Sequence, residues 1–372
     1  MQYFSGDSHI VEHADCFAGL SERYGDAAPQ IIRDYKGKPG DWYVCGPMSV
    51  PVARLGIAGN RLDDPATDKL IARGYEGLNP GVLDGDKRLE EQATDGIVGE
   101  VMYPSLNMFT WACGDTEIMN AAFQRHNDWI VHYCKNAPDR LIGIGCLPIP
   151  DVDLAIEEMT RASRLGVRGF MIPTHTPTDR PYHHSDYDPF WAAAQEMNLP
   201  LTMHIFVGTS PDGGMPAHWG TPGGTIKGYT MAFTTALNAM IDLICGGVLE
   251  RFPRLKVGII ELGANWLPTT LANLDIGRFH LGKFDASLDK LSLKPSEYIH
   301  RQVRVAPLHF ENTGWILRNV GKDILMFNTD YPHPEGGSDP FGDYERSLDA
   351  VDATPQELDN FYSKNYEDYL GL

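Results

Sequence analysis

Short apolar, β-prone runs punctuate this chain, and most are separated by a segment with helical spacing. The runs are Tyr3–His9, Gly96–Tyr103, Arg140–Leu147, Val167–Pro173, Leu199–Ile205, Leu255–Leu262, Gln302–His309 and Asp323–Asp330. Most are continuously apolar rather than alternating, as expected of strands covered on both faces in a parallel sheet. Asp151–Leu165 typifies the segments between them. It opens on a capping aspartate, places Leu154, Ile156, Met159, Ala162 and Leu165 at mostly three-residue spacing, and stops before Gly166. Asp186–Met197, Thr230–Leu249, Trp266–Phe279 and Glu311–Val320 read the same way. Eight strands alternating with helices predict a (β/α)₈ TIM-type barrel, with residues 1–372 as one domain. The rival is a doubly wound open sheet, which would carry a glycine-rich phosphate loop after its first strand. Here the first run continues Asp7-Ser8-His9-Ile10-Val11-Glu12, so nothing there cradles a dinucleotide.

Three segments fall outside the minimal barrel. Residues 14–92 are long, polar and punctuated by glycine and proline, and are expected to form an insertion after strand one that packs over one end of the barrel. Phe206–Thr225 is glycine-rich and directly follows the fifth run, where an active-site lid belongs. The tail Asp349–Leu372 spaces Leu358, Phe361, Tyr362, Tyr366 and Leu370 as a helical stripe, expected to pack on its own barrel.

Composition narrows the partners. A net charge of −19 makes a surface that repels phosphate backbones and anionic lipid, so neither nucleic acid nor a membrane surface is expected as a partner. No apolar run approaches the ~20 residues of a membrane span. Met1–Ile10 lacks the basic and apolar regions of a secretory signal. The cysteines show no CxxC spacing and read as reduced core residues. The expectation is a soluble cytoplasmic protein acting on a small molecule.

In such barrels chemistry gathers at the C-terminal ends of the strands. Asp7 and His9 lie two apart at the end of the first run, hence on one side of it. His204 ends the fifth run, Glu261 the sixth and Asp330 the eighth. Two imidazoles and three carboxylates converging at one mouth are costly unless a divalent cation neutralises them. Nitrogen and oxygen donors suit zinc or iron, with manganese also compatible, and the lack of cysteine ligands argues against a structural zinc site. Each residue has a plainer structural reading as well: a hydrogen-bonded strand-end histidine, a turn-capping Asp7, a Glu261 paired with an arginine. Their joint placement favours a site.

Asp7-x-His9, His204 and Asp330 together resemble the metal-dependent amidohydrolase superfamily. The resemblance is closest to its amidohydrolase-2 branch, which contains aminocarboxymuconate-semialdehyde and resorcylate decarboxylases alongside hydrolases. It extends through Pro138-Asp139-Arg140-Leu141, Tyr187-Asp188-Pro189-Phe190-Trp191, Glu250-Arg251-Phe252-Pro253, Glu261-x-Gly263-x-x-Trp266-Leu267-Pro268 and Asp330-Tyr331-Pro332-His333-Pro334. It implies Asp7, His9, His204 and Asp330 as metal ligands, Asp330 as a proton acceptor too, and a homodimer. The chain departs from the wider superfamily in placing Asp7 where the first histidine is commoner and Glu261 where many members have histidine. It also has no lysine where the fourth run ends, Met171-Ile172-Pro173-Thr174-His175. One ion with Glu261 behind the ligands, and two ions bridged by a carboxylate, both stay open.

Two reactions fit. In metal-assisted hydrolysis of a small amide, ester or thioester, Asp330 or Glu261 takes the proton of a metal-bound water. A histidine such as His175, His218 or His333 would help polarise the carbonyl, and Trp111, Phe206 and Trp219 would supply apolar walls. In the alternative, a non-oxidative decarboxylase of an aromatic or enoic acid, a protein acid protonates the carbon that loses its carboxylate. Decarboxylases of this branch generally place a histidine just beyond strand six. Here Glu261-Leu262-Gly263-Ala264-Asn265 has none, which tilts the reading toward hydrolysis. A third possibility, a binding barrel without its metal, is disfavoured by the intact ligand set.

Overall fold

The computed structural model describes residues 2–208 and 221–372. The chain divides into two compact units, Met1–Phe170 with Asn328–Gly342, and Met171–Phe327 with Asp343–Leu372. In the first, β1 (Tyr3–His9) pairs in parallel with β5 (Ile97–Tyr103), and β5 with β6 (Leu141–Cys146). Strand β7 (Gly169–Ile172) straddles the division and follows β6 in the sheet order. In the second unit the order continues β8 (Leu201–His204), β9 (Val257–Ile260) and β10 (Val303–Val305), with β9 parallel to both neighbours. The fold is thus α/β, built on a seven-stranded, mostly parallel sheet. The mostly apolar runs owe their pattern to this: every residue of β6 to β10 is buried, and Thr202, His204 and Arg304 are the polar exceptions.

Most connecting helices form where capping and period placed them, while the one expected at Thr230–Leu249 runs instead over Gly224–Cys245, followed by a separate turn of helix at Val248–Arg251. Val152–Leu165 starts after Asp151, whose carboxylate accepts the Leu154 N–H at 3.1 Å, and stops at Gly166, whose φ of +123° suits glycine. Helices Asp188–Glu196, Leu267–Leu281 and Thr313–Val320 lie within two residues of their expected bounds.

The eighth expected strand needs correction. Val305 donates to the Ile324 carbonyl and accepts from Met326, both at 2.9 Å, so parallel pairing begins on β10 as a lone bridge. Phe327 then donates to Phe361 in the tail instead of to a strand, at 2.8 Å. Beyond it, in the first unit, Asp330 donates to the Asp7 carbonyl (3.0 Å) and His9 to the Tyr331 carbonyl (2.7 Å). Asp330 has a φ of +52°, a left-handed conformation that no strand continues through. The bonding of a strand is there in pieces, and the chain bends at Asp330.

The 14–92 stretch also differs from an irregular insertion. It holds an antiparallel sheet, β2 (Gln30–Arg33), β3 (Asp41–Cys45) and β4 (Met48–Pro51), and helices Pro65–Arg73 and Gly85–Asp95. Four-residue, half-exposed edge strands carry too few apolar positions to register as a period. The tail packs within its own unit. Phe361, Tyr362, Tyr366 and Leu370 are buried, and the Phe361 and Tyr362 rings lie 6.2 and 5.3 Å from Phe327. All six cysteines are free thiols, and among the described residues no helix is long and apolar enough to cross a membrane.

Candidate active site

In the first unit, β1 presents Asp7 and His9, both buried. Asp7 Oδ1 lies 3.5 Å from His9 Nε2, and Asp330 Oδ1 lies 3.6 Å from the same nitrogen. The other ring nitrogen of His9, Nδ1, is 3.1 Å from the Pro104 carbonyl. A carbonyl only accepts, so Nδ1 carries the hydrogen and Nε2 turns its lone pair toward the carboxylates, the arrangement a metal-binding imidazole needs.

Asp330 is buried, and among the described residues neither of its carboxylate oxygens accepts a hydrogen bond. Burial, and then the neighbouring Asp7, push its carboxyl well above the usual range. Buried oxygens lacking donors are costly unless a proton or cation meets them. The donor set therefore fits a divalent metal.

His333, one of three histidines the sequence offers for polarising a carbonyl, completes this cluster. Its ring stacks on His9 with centroids 3.7 Å apart, and its Nδ1 is 3.3 Å from Asp330 Oδ1. Its Nε2 lies 2.9 Å from Ser105 Oγ, whose hydroxyl donates to the Ile10 carbonyl at 2.6 Å. With the serine hydrogen committed, His333 Nε2 must donate to it. The Nδ1 facing Asp330 lies 3.3 Å from its Oδ1, close enough for a proton to pass between the two groups.

The turn that aligns these histidines hangs from one buried acid. Glu12 accepts the backbone N–H groups of Ser105 (3.2 Å), Leu106 (2.8 Å) and Asn107 (2.9 Å), and the Asn107 side-chain amide at 3.0 Å. Pro104 and Ser105, which orient His9 and His333, are thereby fixed.

The second unit holds the other two expected residues. His204 ends β8 with Nδ1 3.0 Å from the Ile205 carbonyl, which again leaves Nε2 as the bare nitrogen, 3.5 Å from Glu261 Oε2. Glu261 follows β9 with a φ of +54°, a conformation costing on the order of 1 kcal/mol for a residue with a side chain. Glu311 holds the strained turn by accepting the Ala264 (2.8 Å), Asn265 (3.0 Å) and Leu308 (2.9 Å) N–H groups. Glu261 and Glu311 line a cavity of about 270 Å³ within this unit, walled by Ile205, Tyr229, Phe233, Leu262, Trp266 and Leu308. Apolar walls with few polar groups are what small-molecule pockets present.

The structure thus brings Asp7, His9 and Asp330 together in one unit and His204 with Glu261 in the other. His175 stands apart. It is half-buried, with Nδ1 3.2 Å from the Thr174 hydroxyl, and belongs to no cluster of ligand atoms among the described residues. Trp111 is a core residue packed on Phe123 at 5.4 Å, and Phe206 is not in the cavity wall. His218, Trp219 and most of the expected lid lie outside the described residues. Glu12, Ser105 and Glu311 were missed because they act on backbone groups distant in sequence. The one available hint was Glu12, a charge inside the Ile10-Val11-Glu12 run.

Comparison with known proteins follows the same lines. Residues 99–372 match the family model described as amidohydrolase. The chain is 26% identical over 309 residues to 2-amino-3-carboxymuconate-6-semialdehyde decarboxylase of Dictyostelium discoideum, covering 80% of this chain and 79% of that protein. It is 26% identical over 263 residues to gamma-resorcylate decarboxylase of Polaromonas sp., covering 66% and 76%. Among solved structures, an amidohydrolase from Mycobacterium avium subsp. paratuberculosis superposes with a TM-score of 0.77 at 20% identity, over 100% of this chain and 99% of that one. The manganese-bound 5-carboxyvanillate decarboxylase of Novosphingobium aromaticivorans does so with a TM-score of 0.67 at 20% identity, over 100% and 97%. These structural likenesses concern the fold.

The relatives correct the expected reaction: they are named decarboxylases, and hydrolysis of an acyl compound is not the activity they point to. The tilt toward hydrolysis rested on the missing histidine after strand six. That absence carries little chemical weight, because proton transfer needs a positioned acid of any type, and buried carboxyls stand both after β9 and beside His333.

Proposed function

Since this chain belongs to the amidohydrolase family, we propose that it is a metal-dependent, non-oxidative decarboxylase of an aromatic or enoic carboxylic acid. The observation that carries this reading is the nature of its relatives, decarboxylases aligned over 80% and 66% of the chain.

The reading assigns Asp7, His9, His204 and Asp330 as ligands of a divalent cation, with manganese the first candidate because the carboxyvanillate enzyme holds it. When bound, such a cation supplies positive charge that fixes the substrate carboxylate and a neighbouring oxygen. The chain's own residues do the rest. The apolar walls at Tyr229, Phe233 and Trp266 suit a ring or a conjugated chain. The bond to the carboxylate breaks with its electron pair left on carbon, carbon dioxide departs, and Asp330 delivers its proton to that carbon. His333, with Nδ1 3.3 Å from Asp330 Oδ1, resupplies Asp330 for the next turnover. The Ile205 carbonyl, 3.0 Å from Nδ1, keeps the His204 imidazole oriented, and Glu261 adds a carboxylate 3.5 Å from its Nε2.

The test is a panel of acids assayed for carbon dioxide release with manganese present: 2,6-dihydroxybenzoate, 5-carboxyvanillate and an aminocarboxymuconate-type enoic acid, with amides and esters as controls. Release from at least one acid, with the controls uncleaved, is expected. Cleavage of an amide or ester with no carbon dioxide from any acid contradicts the proposal.

A further inference from the structure

Arg88 lies in the helix Gly85–Asp95, at the end of the 14–92 stretch expected to pack over the barrel, yet it is fully buried. Its Nε donates to Glu100 on β5 at 2.7 Å, a bond that Gln92 buttresses by donating to the same oxygen at 2.9 Å. The two ends of its fork go elsewhere. Nη1 donates to the His9 carbonyl and Nη2 to the Tyr331 carbonyl, each at 3.3 Å, and the guanidinium lies 4.5 Å from the centre of the Tyr331 ring. The Tyr331 carbonyl also accepts the His9 N–H at 2.7 Å. One rigid planar cation therefore ties together the carbonyl of His9 and that of Tyr331, the residue after Asp330.

A lysine could not do this, because a single ammonium on a flexible stem cannot hold two divergent carbonyls in a fixed plane. Nor is neutralising Glu100 reason enough for an arginine, since a buried ion pair is often replaceable by apolar groups without loss of stability. What needs the fork is the spacing between the ends of two chain segments, each bearing an acid or imidazole of the ligand set. Asp330 leaves its segment in a left-handed conformation, so no regular ladder sets that spacing.

We propose that Arg88 is a positioning residue for the metal site, and that the 14–92 stretch serves, through its last helix, to set the distance between His9 and Asp330. This rests on the ligand reading given under Proposed function.

The test is manganese binding to the chelator-stripped full chain, read by the electron paramagnetic resonance of free manganese, with thermal melts alongside. The variants are Arg88→Met with Glu100→Gln, which leaves no bare buried charge; Arg88→Lys, which keeps the charge but loses the fork; Ile130→Ala, a cavity in the same unit away from the ligands; and Asp330→Asn. Both Arg88 variants are expected to bind manganese roughly 10–100-fold more weakly, the usual cost of losing a group that orients metal ligands. Ile130→Ala should melt earlier with affinity unchanged. If either folded Arg88 variant binds as tightly as the parent, or if Ile130→Ala loses affinity to the same extent, Arg88 has no positioning role. If Asp330→Asn binds like the parent, the ligand reading itself is wrong; if only the Arg88 variants do, that reading stands and this inference falls.

Discussion

Asparagine in place of Asp330 is expected to slow carbon dioxide release by about 10²–10⁴-fold, the range attributable to a positioned general acid, and to leave the melting temperature unchanged or raised. Asparagine matches aspartate in shape but has no proton to give the carbon and no charge to offer a cation. The stability expectation follows from the burial: a carboxyl that accepts no hydrogen bond among the described residues and faces Asp7 is a liability to the folded chain, and the neutral amide relieves it. The variant is checked by steady-state carbon dioxide release and calorimetry. Wild-type turnover would remove Asp330 from the chemistry. A large loss of melting temperature would mean its role is mainly structural.

Alanine at Glu12 is expected to cost about 4 kcal/mol or more of unfolding free energy, measured by urea denaturation. Glu12 accepts from four donors: three backbone N–H groups and the Asn107 amide. Each becomes an unsatisfied buried donor in the variant, at roughly 1–3 kcal/mol apiece before any relaxation. The damage should also reach the site, because the released turn carries the Pro104 carbonyl that fixes the His9 tautomer and the Ser105 hydroxyl that orients His333. A variant within about 1 kcal/mol of the parent would mean that water replaces the carboxylate without penalty.

These two residues mark where the sequence was and was not readable. The placing of Asp330 beside His9 was legible: it is an acid at the end of an apolar run, as Asp7 is. Asp7, His9, His204 and Glu261 stood out in the same way, since the runs are mostly apolar and an ionisable residue at their ends is conspicuous. Glu12, Arg88 and Glu311 were not, because each acts on backbone groups of segments far away in the chain. Arg88 reaches the His9 carbonyl across 79 positions and the Tyr331 carbonyl across 243. No local pattern encodes such a partner.

Seven strands were legible from their continuous burial, and the eighth was overread. Its apolar residues are buried as expected, but a φ of +52° at Asp330 breaks the ladder, and side-chain type does not announce that conformation. The reaction was misjudged in a related way. The inference leaned on one residue type missing from one place, whereas the proton can come from whichever acid the fold buries beside the substrate. His333, one of three histidines offered for polarising a carbonyl, is singled out only when its ring is seen stacked on His9 and bonded to Ser105.

The most direct test of a metal-dependent decarboxylase is to run the reaction in D₂O on an acid from the panel, with manganese-loaded and chelator-stripped protein side by side, and read the product by NMR and mass spectrometry. The loaded protein should release carbon dioxide and leave a single deuterium on the carbon that bore the carboxylate, and the stripped protein should do neither until manganese is restored. A stripped protein that keeps full turnover, or a loaded one that leaves every carboxylate intact, would contradict the account.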